Sequence, residues 1–139
     1  MKNQAILAIL IISILISGCP GSIDNIVQED LGYGYYFHEV TNIPTISNVN
    51  TKKGIPGVVV SYNNNNSFLI ALEKDLNLTI EEENNLIKNG KYYKVAIKKG
   101  IDRYWIIDYS IDSIFGPMER IEYVQKREAL GISKELVLK

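Results

Sequence analysis

The chain of 139 residues holds one cysteine, one histidine and one tryptophan. Each scarcity excludes something. A lone cysteine, Cys19, permits no intramolecular disulfide and no thiolate metal cage, so an exported domain built from this chain rests on its core and its backbone hydrogen bonds. With His38 the sole histidine, any Ser-His-Asp site has to use it, and no serine stands in a Gly-x-Ser-x-Gly context. Neither sign of charge prevails. The 15 Lys and Arg nearly balance the 16 Asp and Glu, the net charge is −1, and the charges are dispersed. Nucleic acid and anionic lipid are therefore not expected partners. No apolar run reaches the roughly 20 residues that a membrane span needs. No internal repeat is present.

What the chain does have, first, is a processing signal. Lys2 makes a short basic start, and Ala5 to Ile16 is apolar apart from Ser13. That run fits the apolar region of a secretory signal, and the small residues Ser17 and Gly18 follow as a signal peptidase requires. The single cysteine comes next. Ile16-Ser17-Gly18-Cys19 resembles the lipobox of bacterial lipoproteins. The resemblance implies diacylglyceryl transfer to the Cys19 sulfur, cleavage between Gly18 and Cys19, and acylation of the new amine. Residues 1–18 are then a lipoprotein signal peptide, and residues 19–31 the acylated cysteine and a polar tether. Residues 32–139 make a single domain held at the cell membrane, outside the cytoplasm, by lipid chains such as palmitate. Two or three chains anchor stably where one does not, at about 0.8 kcal/mol per buried CH₂.

The domain reads as mostly strand. Gly32 to Val40 is rich in aromatics and glycine, and Thr45 to Val49 follows within a turn-rich stretch. Gly57 to Tyr62 and Ser67 to Glu73, joined by four asparagines, make the clearest hairpin. Thr79 and Glu82 form a capping box, which opens either a short helix over Ile80 to Lys88 or a solvated loop. Tyr92 to Lys98 alternates, with Tyr93, Val95 and Ile97 on one side and lysines on the other, and predicts a half-buried strand. Arg103 to Asp108 and Ser113 to Phe115 complete the set. A helix over about Met118 to Leu130 has Pro117 in its first turn and Gly131 as its stop. The expected fold is α+β: an antiparallel, meander-like sheet of about five or six strands, one face covered by the C-terminal helix.

Tyr104-Trp105-Ile106-Ile107-Asp108, then Phe115-Gly116-Pro117, then a charged helix ending Leu130-Gly131-Ile132, resembles a family of small uncharacterised bacterial lipoproteins with a domain of unknown function. The Gly32 to Tyr36 start is similar as well. The resemblance covers nearly the whole chain, its motifs are structural, and it implies no activity, cofactor or catalytic residue.

No residue set selects an activity. Glu39 adjoins His38, but neighbouring strand residues point to opposite faces, so it does not orient a general base. Adjacent glutamates at Glu81 to Glu83 do not converge on one ion, and Asp108 and Asp112 read as turn formers. The expectation is no catalytic residue, no metal and no cofactor. The aromatics are the stronger signal. Tyr35, Tyr36, Tyr92, Tyr104 and Trp105 place rings on strands where one sheet face is free, and exposed Tyr and Trp suit a binding face. The expected function is a non-enzymatic, membrane-anchored binding or interaction module for an envelope protein or a cell-wall component. The alternative is a small envelope hydrolase or an inhibitor of an envelope enzyme.

Overall fold

The computed structural model describes residues 28–40 and 42–139. The expected signal, its expected Gly18–Cys19 cleavage site and the first part of the expected tether lie outside the described residues. The last part does not. Gln28 to Leu31, read as tether, belong to the first strand.

Among the described residues the chain makes two four-stranded antiparallel sheets. The first contains β1 (Gln28–Gly32), β2 (Tyr35–Val40), β3 (Ile43–Asn48) and β4 (Gly54–Ile55). The second contains β5 (Val58–Asn64), β6 (Phe68–Asp75), β7 (Ile101–Asp108) and β8 (Ser113–Met118). Each is a meander in chain order. Helices α1 (Ile80–Lys88) and α2 (Tyr92–Lys99) bridge β6 to β7, and α3 (Arg120–Ala129) follows β8. No helix among the described residues is long and apolar enough to cross a membrane.

The mixed α+β class and the C-terminal helix agree with the sequence reading. The single sheet does not, and the reason lies in β6 and β7. Their centres, Phe68 to Leu72 and Tyr104 to Ile107, are continuous apolar runs, the mark of strands buried on both faces. Leu69, Ala71, Trp105 and Ile107 face the first sheet and pack with Leu31, Tyr35, Ile46 and Ile55. Ile70 and Ile106 face the other way, onto Tyr123 of α3 and the terminal Ile132 and Leu136. The second sheet is thus the middle layer. A third cluster joins Val58 to Tyr92 and Ala96 of α2.

Two local readings are corrected. Tyr92 to Lys99 is helix, not strand. In eight residues the alternation of Tyr93, Val95 and Ile97 competes with a helical stripe of Tyr92, Val95 and Ala96, and packing decides for the stripe. Tyr92 and Ala96 are buried, whereas Tyr93 and Ile97 are exposed. Pro117 lies in β8 rather than in the last helix, which begins at Arg120 behind a capping box of Glu119 and Glu122. The Thr79–Glu82 capping box is present and opens a helix, α1, which resolves the open choice there.

Candidate functional site

Strand alternation puts Leu69, Ala71, Glu73 and Asp75 on one face of β6. The first two sit in the core between the sheets. The first sheet then ends at Ile55, and Pro56 and Gly57 lead into β5. Glu73 and Asp75 run on past this cover, where the core opens into a cavity of about 260 Å³. Glu83 of α1, Tyr92 of α2 and Trp105 of β7 close its sides, with Pro56, Leu76, Leu78 and Pro117 around them.

Glu73 is the unusual member. It is 5% exposed, and Trp105 Nε1 donates a hydrogen bond to its Oε2. The two residues are diagonal neighbours, since Glu73 pairs with Arg103 and Ala71 with Trp105 across the same ladder. Glycines make room for both. Gly57, at φ +86°, lies against the carboxylate, where a Cβ would come 2.3 Å from Oε1. Gly116, at φ +138°, lies under the indole, where a Cβ would come 2.6 Å from Cε3. The β7–β8 register shifts between Tyr104 and Ile106, so Trp105 sits on the irregularity. Such bulges re-aim a side chain.

Burial pushes the Glu73 carboxyl up to about 7, and the negative charge of Asp75 adds to this, while the Trp105 hydrogen bond and Arg103 oppose it. Arg103 Nε lies 3.7 Å from Asp75 Oδ2. Burial likewise raises the Tyr92 hydroxyl to about 12, helped by the negative charges of Glu83, Glu73 and Asp75. Three acids line the cavity and no basic side chain does. Among the described residues no three His, Cys, Asp or Glu side chains converge as a metal site. The arrangement supplies a carboxyl that gains or loses its proton near neutrality, two aromatic walls and an apolar rim.

The five aromatics read from the sequence as one binding face do not form one. Tyr35 and Trp105 are in the core between the sheets, Tyr92 packs in the third cluster, and Tyr104 is half-buried in a stack with Tyr123, 4.8 Å between centroids. Tyr36 is half-buried on β2. The second sheet is covered on both faces, so its rings are core. Of the five, Tyr92 and Trp105 line the cavity. His38 is half-buried, and its cross-strand partners are Gln28 and Thr45, neither an acid nor a serine. Asp108 accepts from Ser110 N and Oγ, and Asp112 pairs with Lys53 at 3.1 Å, both at the β7–β8 turn. Glu82 is used in the cap, while Glu83 departs from the solvated face expected of it and reaches the cavity. Glu73 was not singled out by the sequence reading. Its signal is an acid in phase with Leu69 and Ala71 at the end of an apolar strand.

Neither the curated proteins nor the solved structures contain a match to the chain. A family model described as a protein of unknown function (DUF3997) matches residues 33–139.

Proposed function

We propose that this chain, which belongs to the DUF3997 family of unknown function, is a lipid-anchored protein of the bacterial envelope whose domain holds a small ligand between Glu73, Tyr92 and Trp105 without turning it over. The address rests on Ile16-Ser17-Gly18-Cys19. The binding reading rests on one observation: a nearly buried carboxyl opens onto a cavity instead of being sealed into the core. A buried acid in a concave site with aromatic walls is the usual mark of a functional position.

Trp105 is the chain's only tryptophan, so intrinsic fluorescence and the single indole cross-peak report directly on this site. The test is titration of the protein with size-fractionated small molecules from bacterial envelopes. A saturable change in the Trp105 signal supports the reading, and a flat response across all fractions overturns it.

A hydrolase is the second reading, favoured by the Glu73 carboxyl itself, since a group poised near 7 suits general acid catalysis. No serine or histidine lines the cavity to serve beside it. Release of a product from any fraction that moves the Trp105 signal would decide for that reading.

A further inference from the structure

We infer that the cavity between Glu73, Glu83, Tyr92 and Trp105 recognises a protonated primary amine carried on a short apolar stem. This deepens the binding reading above and rests on it. Charge comes first. Every ionisable side chain on the lining other than Tyr92 is an acid. Arg103, whose charge acts on Glu73, is drawn to Asp75 on one side and to Glu119 on the other, at 3.7 and 3.9 Å. It leaves Glu73 and Glu83 without a basic partner at the cavity.

Geometry then separates an ammonium from a metal ion. The acids do not converge as a metal cage, and the walls are rings and aliphatic carbons. An ammonium group fits such a mixture, because ring faces attract cations and carboxylate oxygens accept its N–H bonds. Glu73 is more than nine-tenths buried, and Trp105 takes Oε2. Oε1 is the oxygen left beside Gly57 at the cavity wall, since no buried side-chain oxygen among the described residues lacks a partner. Leu76, Leu78 and Pro117 give the stem an apolar surface.

Proton linkage supplies an independent mark. A cation beside Glu73 favours its ionised form, so binding expels a proton from that carboxyl and strengthens as pH rises. The groups that face Glu73 are Asp75 on its own strand, Arg103 and Trp105 on β7, Glu83 on α1 and Tyr92 on α2. Glu73, pushed up to about 7, is placed to change charge between pH 6 and 8.

The same amine chemistry occurs on soluble molecules and on ethanolamine lipid headgroups, and the experiment separates them. The Trp105 indole cross-peak of the folded domain is followed against n-butylammonium, n-butanol and butyrate. It is then followed against vesicles with ethanolamine headgroups and vesicles with choline headgroups. The expected result is a saturable shift with n-butylammonium, at least tenfold weaker in Glu73→Gln and at least threefold weaker in Glu83→Gln, and tighter at pH 8 than at pH 5.5. A response to ethanolamine vesicles alone also supports the amine and assigns it to lipid. An equal response to n-butanol or butyrate overturns the amine and leaves the binding reading standing. No response to the amine in either form overturns it too, and envelope fractions that also leave the peak unmoved remove both readings.

Discussion

Trp105 donates its indole N–H to the Glu73 carboxylate across one diagonal of the β6–β7 ladder, and each partner lies against a glycine. The pair marks the point where the core between the sheets ends. On one side lie Ala71 and Ile107, fully buried, and on the other a cavity of about 260 Å³. A hydrogen bond from an indole offsets only part of what a buried carboxylate loses on leaving water. The carboxyl therefore holds its proton to about pH 7.

That shift makes stability depend on pH. Glu73 has a folded-state pKa of about 7 against an ordinary value of 4.5. Below 4.5 both folded and unfolded states carry the proton, and the contribution is whole. Between 4.5 and 7 the unfolded chain ionises and the folded one does not, so stability falls. Above 7 the loss is complete, at roughly 3 kcal/mol for about 1.4 kcal/mol per unit. Urea unfolding of the wild type at pH 5 and pH 8 should show this decline, and Glu73→Gln should flatten it. A wild type equally stable at both values would remove the buried-acid account.

The glycine seats are the next point of attack. Gly57→Ala adds a Cβ 2.3 Å from Glu73 Oε1 at a φ of +86°. Backbone strain of this kind costs on the order of 1–3 kcal/mol, and the carboxylate has to move as well. The expected outcome is a lower unfolding midpoint together with an altered Trp105 emission. Gly131→Ala serves as the comparison. Its φ is also positive, at +65°, but nothing lies within 4 Å of the added carbon, so it should lose stability with the emission unchanged.

What could be read from the sequence follows the distance over which its signals act. The Thr79–Glu82 box and the Gly131 stop are local, and each stands where the residues put it, while the asparagine hairpin is present with its turn narrowed to Asn65 to Ser67, because Asn63 and Asn64 join β5. Tyr92 to Lys98 reads as a strand although it is helix, because so short a stretch satisfies a period of two and a helical stripe together. Tertiary contact with Val58 chose between them. The division into two sheets depends on which partners cover β6 and β7, and no single segment carries that information. The aromatic face failed for the same reason. Ring content marks strands well, but which side of a strand meets solvent is a property of the layers above it.

The middle layer makes its own prediction. Ile106 is fully buried between the second sheet and α3, while Ile121 on α3 is 72% exposed. Ile106→Ala should destabilise by about 2–5 kcal/mol through lost burial and the cavity left behind. Ile121→Ala should stay within about 0.5 kcal/mol. Denaturant midpoints of the two variants check this, and similar losses in both would mean that α3 turns its other face to the sheet.

The anchor is testable apart from the fold. The first strand begins at Gln28, and Cys19 lies nine positions before it, outside the described residues. Cys19→Ala should leave the unfolding midpoint of the domain unchanged, because among the described residues the core clusters are built from Leu31 onward. It should also move the protein from the membrane fraction to the soluble or signal-retaining fraction. At about 0.8 kcal/mol per buried CH₂, one acyl chain holds a protein only reversibly and two hold it stably. The wild type should therefore resist salt and carbonate washes and come off in detergent. Intact-mass measurement should show a chain beginning at Cys19 with diacylglyceryl added. A protein that washes off with salt, or a mature chain of unmodified mass, would overturn the lipid anchor and leave the Glu73 cavity to be judged by its own titrations.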